Sequence, residues 1–376
     1  VTEDKRAFPQ LTGVRALAAA MVYLHHYRPQ QKIVGHVIFS MCCEMHAGVS
    51  IFFVLSGFLI YLRHSGPAAL HRVALIRYAF HRFARIYPMY FLVVVGMGIW
   101  SWAASPASYP VSRLVSDLLL QLSFIRGFSD QYRSIGVGQG WTLTVEVTFY
   151  VLFPLLLLLI RRRGFFPVLL MVWGAGLLLW GIGELIHYHN YFRPFRFMMI
   201  YTFFGRAGDF FVGMIVADHV MRLKDGEQSS RRLPYCTVAG LLGIAGSLYT
   251  LASLERGESV EAPFHPVGAV VYLLLLPPFI GALLYGLVTE RSWAAGFLGS
   301  RVLVILGASS YCFYLIHVGG PDSLVNKWVI KLGTIPGYAM VADIAILLWM
   351  GIEEPLRRMV LAHHLFRRTG EERLPA

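Results

Sequence analysis

Arg15-Ala-Leu-Ala-Ala-Ala-Met-Val-Tyr-Leu-His25 decides the fold. It sits inside an otherwise apolar run from Leu11 to Tyr27, long enough for a bilayer-crossing helix, and His26 follows His25 directly. Ionisable groups at membrane depth are expensive, so by default they mark a functional site. Working outward, further apolar stretches repeat the pattern, each with one or two polar groups among Leu, Val and Phe. The expected protein is an all-α integral membrane protein, a polytopic bundle with a polar interior.

The composition agrees. Of 376 residues, 56% are hydrophobic and 14% charged, against about 25% charged in an ordinary soluble domain. Mean hydropathy is +0.58. A membrane helix needs roughly 20 mostly apolar residues. Ten such segments are expected, at 11–29, 47–63, 86–104, 141–160, 165–183, 198–220, 235–254, 267–288, 302–319 and 336–352. Residues 110–126 are apolar but short, and hold Arg113, Asp117 and Arg126. They read as an interfacial or re-entrant helix, because irregular backbone cannot face lipid.

The formal net charge of +12 invites a nucleic-acid reading, but its distribution excludes one. With the N-terminus inside, 21 of the 33 Lys and Arg fall in inner segments and ten in outer ones, leaving Arg15 and Arg206 within spans. Lys5, Arg6, Lys224, Arg231, Arg232 and Arg373 are counted inside and Arg256 outside. The positive-inside rule then places both termini in the cytoplasm, and much of the basic excess meets lipid headgroups. No cleavable signal peptide is expected, since the first span is too polar. Cys42, Cys43, Cys236 and Cys312 show no metal spacing and read as free thiols. With no linker or internal repeat, residues 1–376 are expected to form a single transmembrane domain.

Several polar residues compete for chemical roles. A helix entering near Leu11 carries His25 roughly 20 Å in, to the outer half of the membrane, while Arg15 stays near the cytoplasmic side. Trp141-Thr-Leu-Thr-Val-Glu146 opens the fourth span, and Ser309-Ser-Tyr-Cys-Phe-Tyr-Leu-Ile-His317 closes the ninth. Both Glu146 and His317 are therefore expected at the depth of His25. A carboxylate beside a histidine fixes its tautomer and stabilises imidazolium, the usual recipe for a general base. The plainer alternatives are a structural clamp for Glu146 and an interfacial histidine for His317. Arg206 and Asp209, at i, i+3, read equally as a bracing ion pair or a substrate contact. In the segment 72–85, Arg72 and Arg77 suit headgroups. Arg82 and Arg85, expected to precede a third span with Pro88 in its first turn, suit phosphate recognition. Ser56-Gly57 inside the second span lets helices approach closely. The 183–196 loop is aromatic and basic, and reads as a sugar contact or as an interfacial belt.

Seven of these pieces, in this order, resemble the bacterial membrane acyltransferase-3 family. They are Arg15 with its ten-residue spacing to His25, the Phe52-Phe-Val-Leu-Ser-Gly-Phe58 span, Arg82-Phe-Ala-Arg85-Ile-Tyr-Pro88, Trp141-Thr-Leu-Thr-Val-Glu146, Arg206-Ala-Gly-Asp209-Phe-Phe-Val-Gly213, Ser310-Tyr-Cys-Phe-Tyr-Leu-Ile-His317 and Ile352-Glu353-Glu-Pro355. The resemblance runs from Phe8 to about Arg358. Asp209 stands where the family often has glutamate, and Thr142 where it often has serine. The resemblance implies an acyl-CoA donor, usually acetyl-CoA, and O-acylation of a sugar or other hydroxyl on an envelope glycan, exported oligosaccharide or metabolite. It implies His25 as the catalytic histidine, Arg82 and Arg85 at the donor, and Glu146 as the motif glutamate.

The combined expectation is an O-acetyltransferase of the bacterial cytoplasmic (inner) membrane. His25 and Glu146 act in catalysis, Arg15, Arg82 and Arg85 hold the donor, and Trp141, Arg206, Asp209 and His317 meet the acceptor. Lipid, acyl-CoA and a carbohydrate are the expected partners; no metal and no nucleic acid are required. The competing class is a proton-coupled transporter or a polysaccharide-export protein without chemistry of its own.

Overall fold

The computed structural model describes residues 8–223, 233–255, 262–318 and 324–371. Lys5, Arg6, Lys224, Arg231, Arg232, Arg256 and Arg373, and both chain termini, lie outside the described residues. Among the described residues the chain is helical, with no strand beyond an isolated bridge between Ser129 and Tyr191. Eight stretches among the described residues are long and apolar enough to cross a bilayer: Gln31–His64, Arg72–Ala104, Gly138–Arg163, Phe165–Ile186, Phe195–Arg222, Tyr235–Leu254, Pro266–Thr289 and Thr334–Ala362. Their outer faces are what lipid requires. Leu178, Leu185 and Ile186 on Phe165–Ile186 stand exposed, as do Ile99 and Trp100 on Arg72–Ala104.

The first and ninth expected spans differ from the rest. Helix α1 (Pro9–His26) forms where expected, but Arg15, His25 and His26 make it too polar to stand against lipid. The bundle encloses it instead: Val14, Ala18 and Tyr23 are fully buried. The ninth span is broken into Arg301–Ala308 and Ser310–Ile316, with Ser309 at the joint. Its second half is buried from Ser310 to Leu315. These two polar elements form the centre, and the apolar helices form the wall.

The next helices in chain order are α2 (Gln31–Cys43), α3 (Gly48–His64) and α4 (Arg72–Ala104). Residues 72–85 do not precede a third span. They are the first turns of the 33-residue α4, and Pro88 lies in its interior rather than in a first turn. Residues 111–122 form α5 (Val111–Leu122), a short amphipathic helix with Val111, Val115 and Leu119 exposed.

After α5 the chain dives inward. Arg126 is fully buried and donates to the carbonyls of Ile135 and, at 2.6 Å, Val137. Gln139 Nε2 donates to the carbonyls of Tyr314 and Leu315 at 2.8 and 3.0 Å. A buried guanidinium and a buried amide thus satisfy the carbonyls of an irregular segment that water cannot reach. Helix α6 (Trp141–Arg163) consequently begins inside the protein, not at its surface.

Helix α7 (Phe165–Ile186), the short α8 (Phe195–Tyr201) and α9 (Phe203–Arg222) follow. Helices α3 and α9 meet backbone to backbone. A side chain at Gly57 would strike the Phe210 carbonyl, and one at Gly213 the Val54 carbonyl. The Ser56-Gly57 step therefore serves close approach, and it also aims Ser56 at Glu146. Two π turns, Val271–Leu275 and Trp349–Glu353, interrupt later helices. Each borders one of the two cavities described next, a placement typical of functional sites.

Candidate functional site

Two cavities open within the bundle, and α1 borders both. One, of about 490 Å³, is lined by His25 and His26 near the end of α1, with Glu44, His46, Trp141, Tyr201, Tyr272 and Tyr314 around them. The other, of about 780 Å³, is lined by Thr12 and Arg15 nearer the start of α1, with Ser56, Arg82, Arg85, Glu146 and Tyr150. Arg15 and His25 are ten residues apart, about 15 Å along the helix.

In the histidine cavity the decisive contact is between His25 Nδ1 and the Cys43 carbonyl, 2.6 Å apart. A carbonyl oxygen only accepts, so Nδ1 carries the proton and Nε2 keeps its lone pair. Arg28 pins the same corner: it donates from Nε to the His25 carbonyl at 2.9 Å and from Nη1 to Cys43 Sγ at 3.3 Å. The His26 and His46 rings lie 4.9 and 5.2 Å from that of His25, centroid to centroid. His317 is fully buried, with its ring 5.4 Å from His26 and its Nδ1 donating to the Tyr314 carbonyl at 2.9 Å. Among the described residues no group of His, Cys, Asp and Glu is arranged to hold a metal ion.

The second cavity is strongly basic. Six arginines line it (Arg15, Arg63, Arg82, Arg85, Arg357 and Arg358), against the carboxylates Glu146 and Glu354. Arg85 pairs with Glu353 at 2.5 Å, and Glu353 also accepts from Cys312 Sγ at 3.0 Å. Arg15 donates to Ser310 Oγ at 3.2 Å, which ties α1 to the broken ninth span. Glu146 accepts from Ser56 Oγ at 2.7 Å and from the Tyr150 hydroxyl. The Arg82 guanidinium lies 5.6 Å from the centre of the Tyr150 ring, and its buried Nε has no hydrogen-bond partner among the described residues.

The sequence model of the acyltransferase domain family matches residues 8–352. The chain belongs to this acyltransferase family. Among its relatives, the acyltransferase MdmB of Streptomyces mycarofaciens is 26% identical, over 94% of this chain and 92% of MdmB. The O-acetyltransferase OatA of Staphylococcus aureus is 23% identical, over 94% of this chain but only 58% of OatA, so the chain spans little more than half of that protein. No solved structure matches.

Within this acyltransferase, the residues expected to share one site are divided. His25, Trp141 and, just behind the wall, His317 gather at the histidine cavity. His317 is not an interfacial residue. Arg15, Arg82 and Arg85 gather at the basic cavity. Glu146 departs from expectation: it lines the basic cavity, and the pair with His25 is not formed. The physical reason is the inward dive of residues 123–140. Because α6 starts at depth, Trp141 already faces His25, and Glu146 lies more than a turn farther along. The His25 Nδ1–H meets the Cys43 carbonyl instead of the Glu146 carboxylate.

Arg206 and Asp209 line neither cavity. Their side chains are 0% and 2% exposed and pair at 2.7 Å. Arg206 also donates to Ser50 Oγ at 2.6 Å and lies over Tyr272. They join the helices behind the histidine cavity, and neither side chain is open to solvent. The 187–196 loop lines neither cavity, and instead holds the 129–130 backbone through Asn190 and Tyr191. None of the four cysteines forms a disulfide among the described residues.

Sequence reasoning missed Glu44, His46, Arg63, Tyr150, Arg357 and Arg358 among the lining residues, and Glu353 behind Arg85. Glu353 had a signal, a carboxylate at the end of an apolar span. Tyr150 had one in its i+4 spacing from Glu146. His46 and the Cys43 carbonyl had none, because a short 3₁₀ turn, Glu44–Ala47, brings them to His25.

Proposed function

We propose that this protein is an integral-membrane O-acyltransferase that moves an acyl group, acetyl in the simplest case, from acyl-CoA to a hydroxyl of a sugar. The sugar belongs to an envelope glycan, an exported oligosaccharide or a glycosylated metabolite, and the membrane is the bacterial cytoplasmic one. Residues 1–376 act as one domain, with the basic cavity on the cytoplasmic side, where CoA is found. One observation carries the reading: a single enclosed helix presents an imidazole with a free Nε2 to one cavity and an arginine to another, basic one.

The chemistry follows from the geometry. CoA phosphates suit the arginine forks, and the uncharged pantetheine arm runs along α1 past Arg15 toward His25. His25 Nε2 takes the proton of the acceptor hydroxyl as its oxygen bonds to the thioester carbonyl carbon. The C–S bond then breaks, and the imidazolium returns the proton to the CoA thiolate, leaving an ester and free CoA. The Cys43 carbonyl holds Nδ1–H throughout, so the ring stays oriented and its positive charge is stabilised. Trp141 and Tyr201, edge to face at 4.7 Å, offer the acceptor a flat apolar wall.

The test is release of CoA thiol from acetyl-CoA by purified protein in detergent, with acceptor present. A proton-coupled transporter or an export protein releases none, and absence of release in active membranes and purified protein alike would end the reading. A second measurement separates the two cavities. Glu146→Gln removes the charged acceptor that holds Tyr150, and with it the ring under Arg82. Hydrogen bonds to charged groups contribute about 1.5–3 kcal/mol, so the donor KM should rise on the order of tenfold while kcat changes little. A fall in kcat at unchanged KM would return Glu146 to the proton-transfer step.

A further inference from the structure

We propose that Arg63 and Arg357 form a second anion subsite at the rim of the basic cavity, which takes the 3′-phosphate of a coenzyme A donor. The inference rests on the acyl-CoA reading above and assigns the two ends of that donor to different arginines.

The argument starts from which arginines are already committed. Arg85 is bound to Glu353, and Arg15 to Ser310, both deep in the bundle. Arg82 has no carboxylate partner among the described residues, and its buried Nε is unpartnered. Arg63, in the last turn of α3, lines the same cavity and has no ion pair among the described residues. Its electrostatic neighbours are two more arginines, Arg82 and Arg357. Three guanidiniums from three different helices therefore converge on one rim. Like charges so placed repel unless an anion lies between them.

The helix Glu354–Glu371 supplies Arg357 by a specific device. The π turn Trp349–Glu353 swings Glu353 inward to Arg85 and leaves the next turn at the rim. There Arg357 grips Glu354 through Nε and Nη2, at 2.8 and 2.9 Å. A guanidinium has five N–H donors, so Nη1 remains for another oxygen. The Arg357 side chain is 39% exposed, open enough for a ligand to reach.

Coenzyme A carries its phosphates in two places, a diphosphate next to pantetheine and a monophosphate on the far side of the ribose. With pantetheine directed inward past Arg15, the diphosphate meets Arg82 over Tyr150. The 3′-phosphate then falls at the rim, on Arg63 and Arg357.

The experiment compares binding of CoA and 3′-dephospho-CoA to the purified full chain. Wild type should prefer CoA by tenfold or more. Arg63→Gln/Arg357→Gln should bind CoA no better than dephospho-CoA, with dephospho-CoA affinity as in wild type, which also reports an intact fold. If that variant fails to bind either compound, Arg63→Gln alone decides: it breaks no ion pair, and should lose part of the preference. Equal binding of the two compounds by wild type, or a preference that survives in the variants, overturns the subsite. Loss of that preference in wild type on adding phosphatidylglycerol to the micelles would assign the rim to a lipid headgroup and overturn it too. If wild type binds neither compound, the acyl-CoA reading itself falls.

Discussion

Replacing His25 with alanine should cut acyl transfer by roughly 10²–10⁴-fold, the range for removing a general base. The size follows from the geometry. His25 is the histidine whose Nδ1 is fixed by a 2.6 Å bond to a backbone carbonyl and whose ring lines the cavity. His317 is fully enclosed, and the buried Nε2 atoms of His46 and His317 have no hydrogen-bond partner among the described residues with which to pass a proton on. His25→Gln sharpens the experiment, since its amide still donates to the Cys43 carbonyl but takes up no proton. Both variants should bind CoA as wild type does, because the arginines line a separate cavity. His26→Ala should be milder: neighbouring helix positions point about 100° apart. Because Glu146 lines the other cavity, Glu146→Gln and His25→Ala should combine additively, whereas residues acting as one unit do not. Wild-type turnover by purified His25→Gln would remove the proposed base.

Asp209→Ala should destabilise the protein by about 3–5 kcal/mol, the cost of leaving one member of a buried ion pair without the other. Both side chains are closed off from solvent, and the pair spans 2.7 Å between Arg206 Nε and Asp209 Oδ2. The loss should appear as a lower melting temperature of the detergent-purified protein. It should also reach the active cavity. Arg206 holds Ser50 of α3 and lies 4.4 Å from the centre of the Tyr272 ring, and Tyr272 forms part of the histidine cavity wall. Removing both charges together, as Arg206→Met/Asp209→Leu, should recover much of the stability, because a buried pair gains little net over apolar residues of similar size. An unchanged melting temperature for Asp209→Ala would mean that the pair is not the brace its burial indicates. Reduced activity in a fully stable variant would reopen an acceptor role.

The sequence by itself determined the class of this protein. Apolar runs of membrane length, too few charges for a soluble surface and isolated polar residues within the spans leave a helical membrane bundle as the outcome, since only structures that satisfy their own backbone survive in lipid. The order of seven short motifs from Arg15 to Pro355 pointed to the family that the match over residues 8–352 establishes. Hydrophobic length also located α6, α7 and α9, and the small Ser56-Gly57 step pointed to the close helix contact there.

Only the tertiary structure decided who meets whom. A depth counted along the sequence from an entry point at the membrane surface fails at two elements. Arg126 and Gln139 fold residues 123–140 into the bundle, which shifts Trp141 to His25 and Glu146 to the arginines. The break at Ser309 divides a span and delivers Ser310 to Arg15. Both depend on polar side chains satisfying distant backbone, which leaves no periodic trace in the sequence. The group that orients His25 is the Cys43 carbonyl. Every residue carries that atom, so its place is set by packing alone.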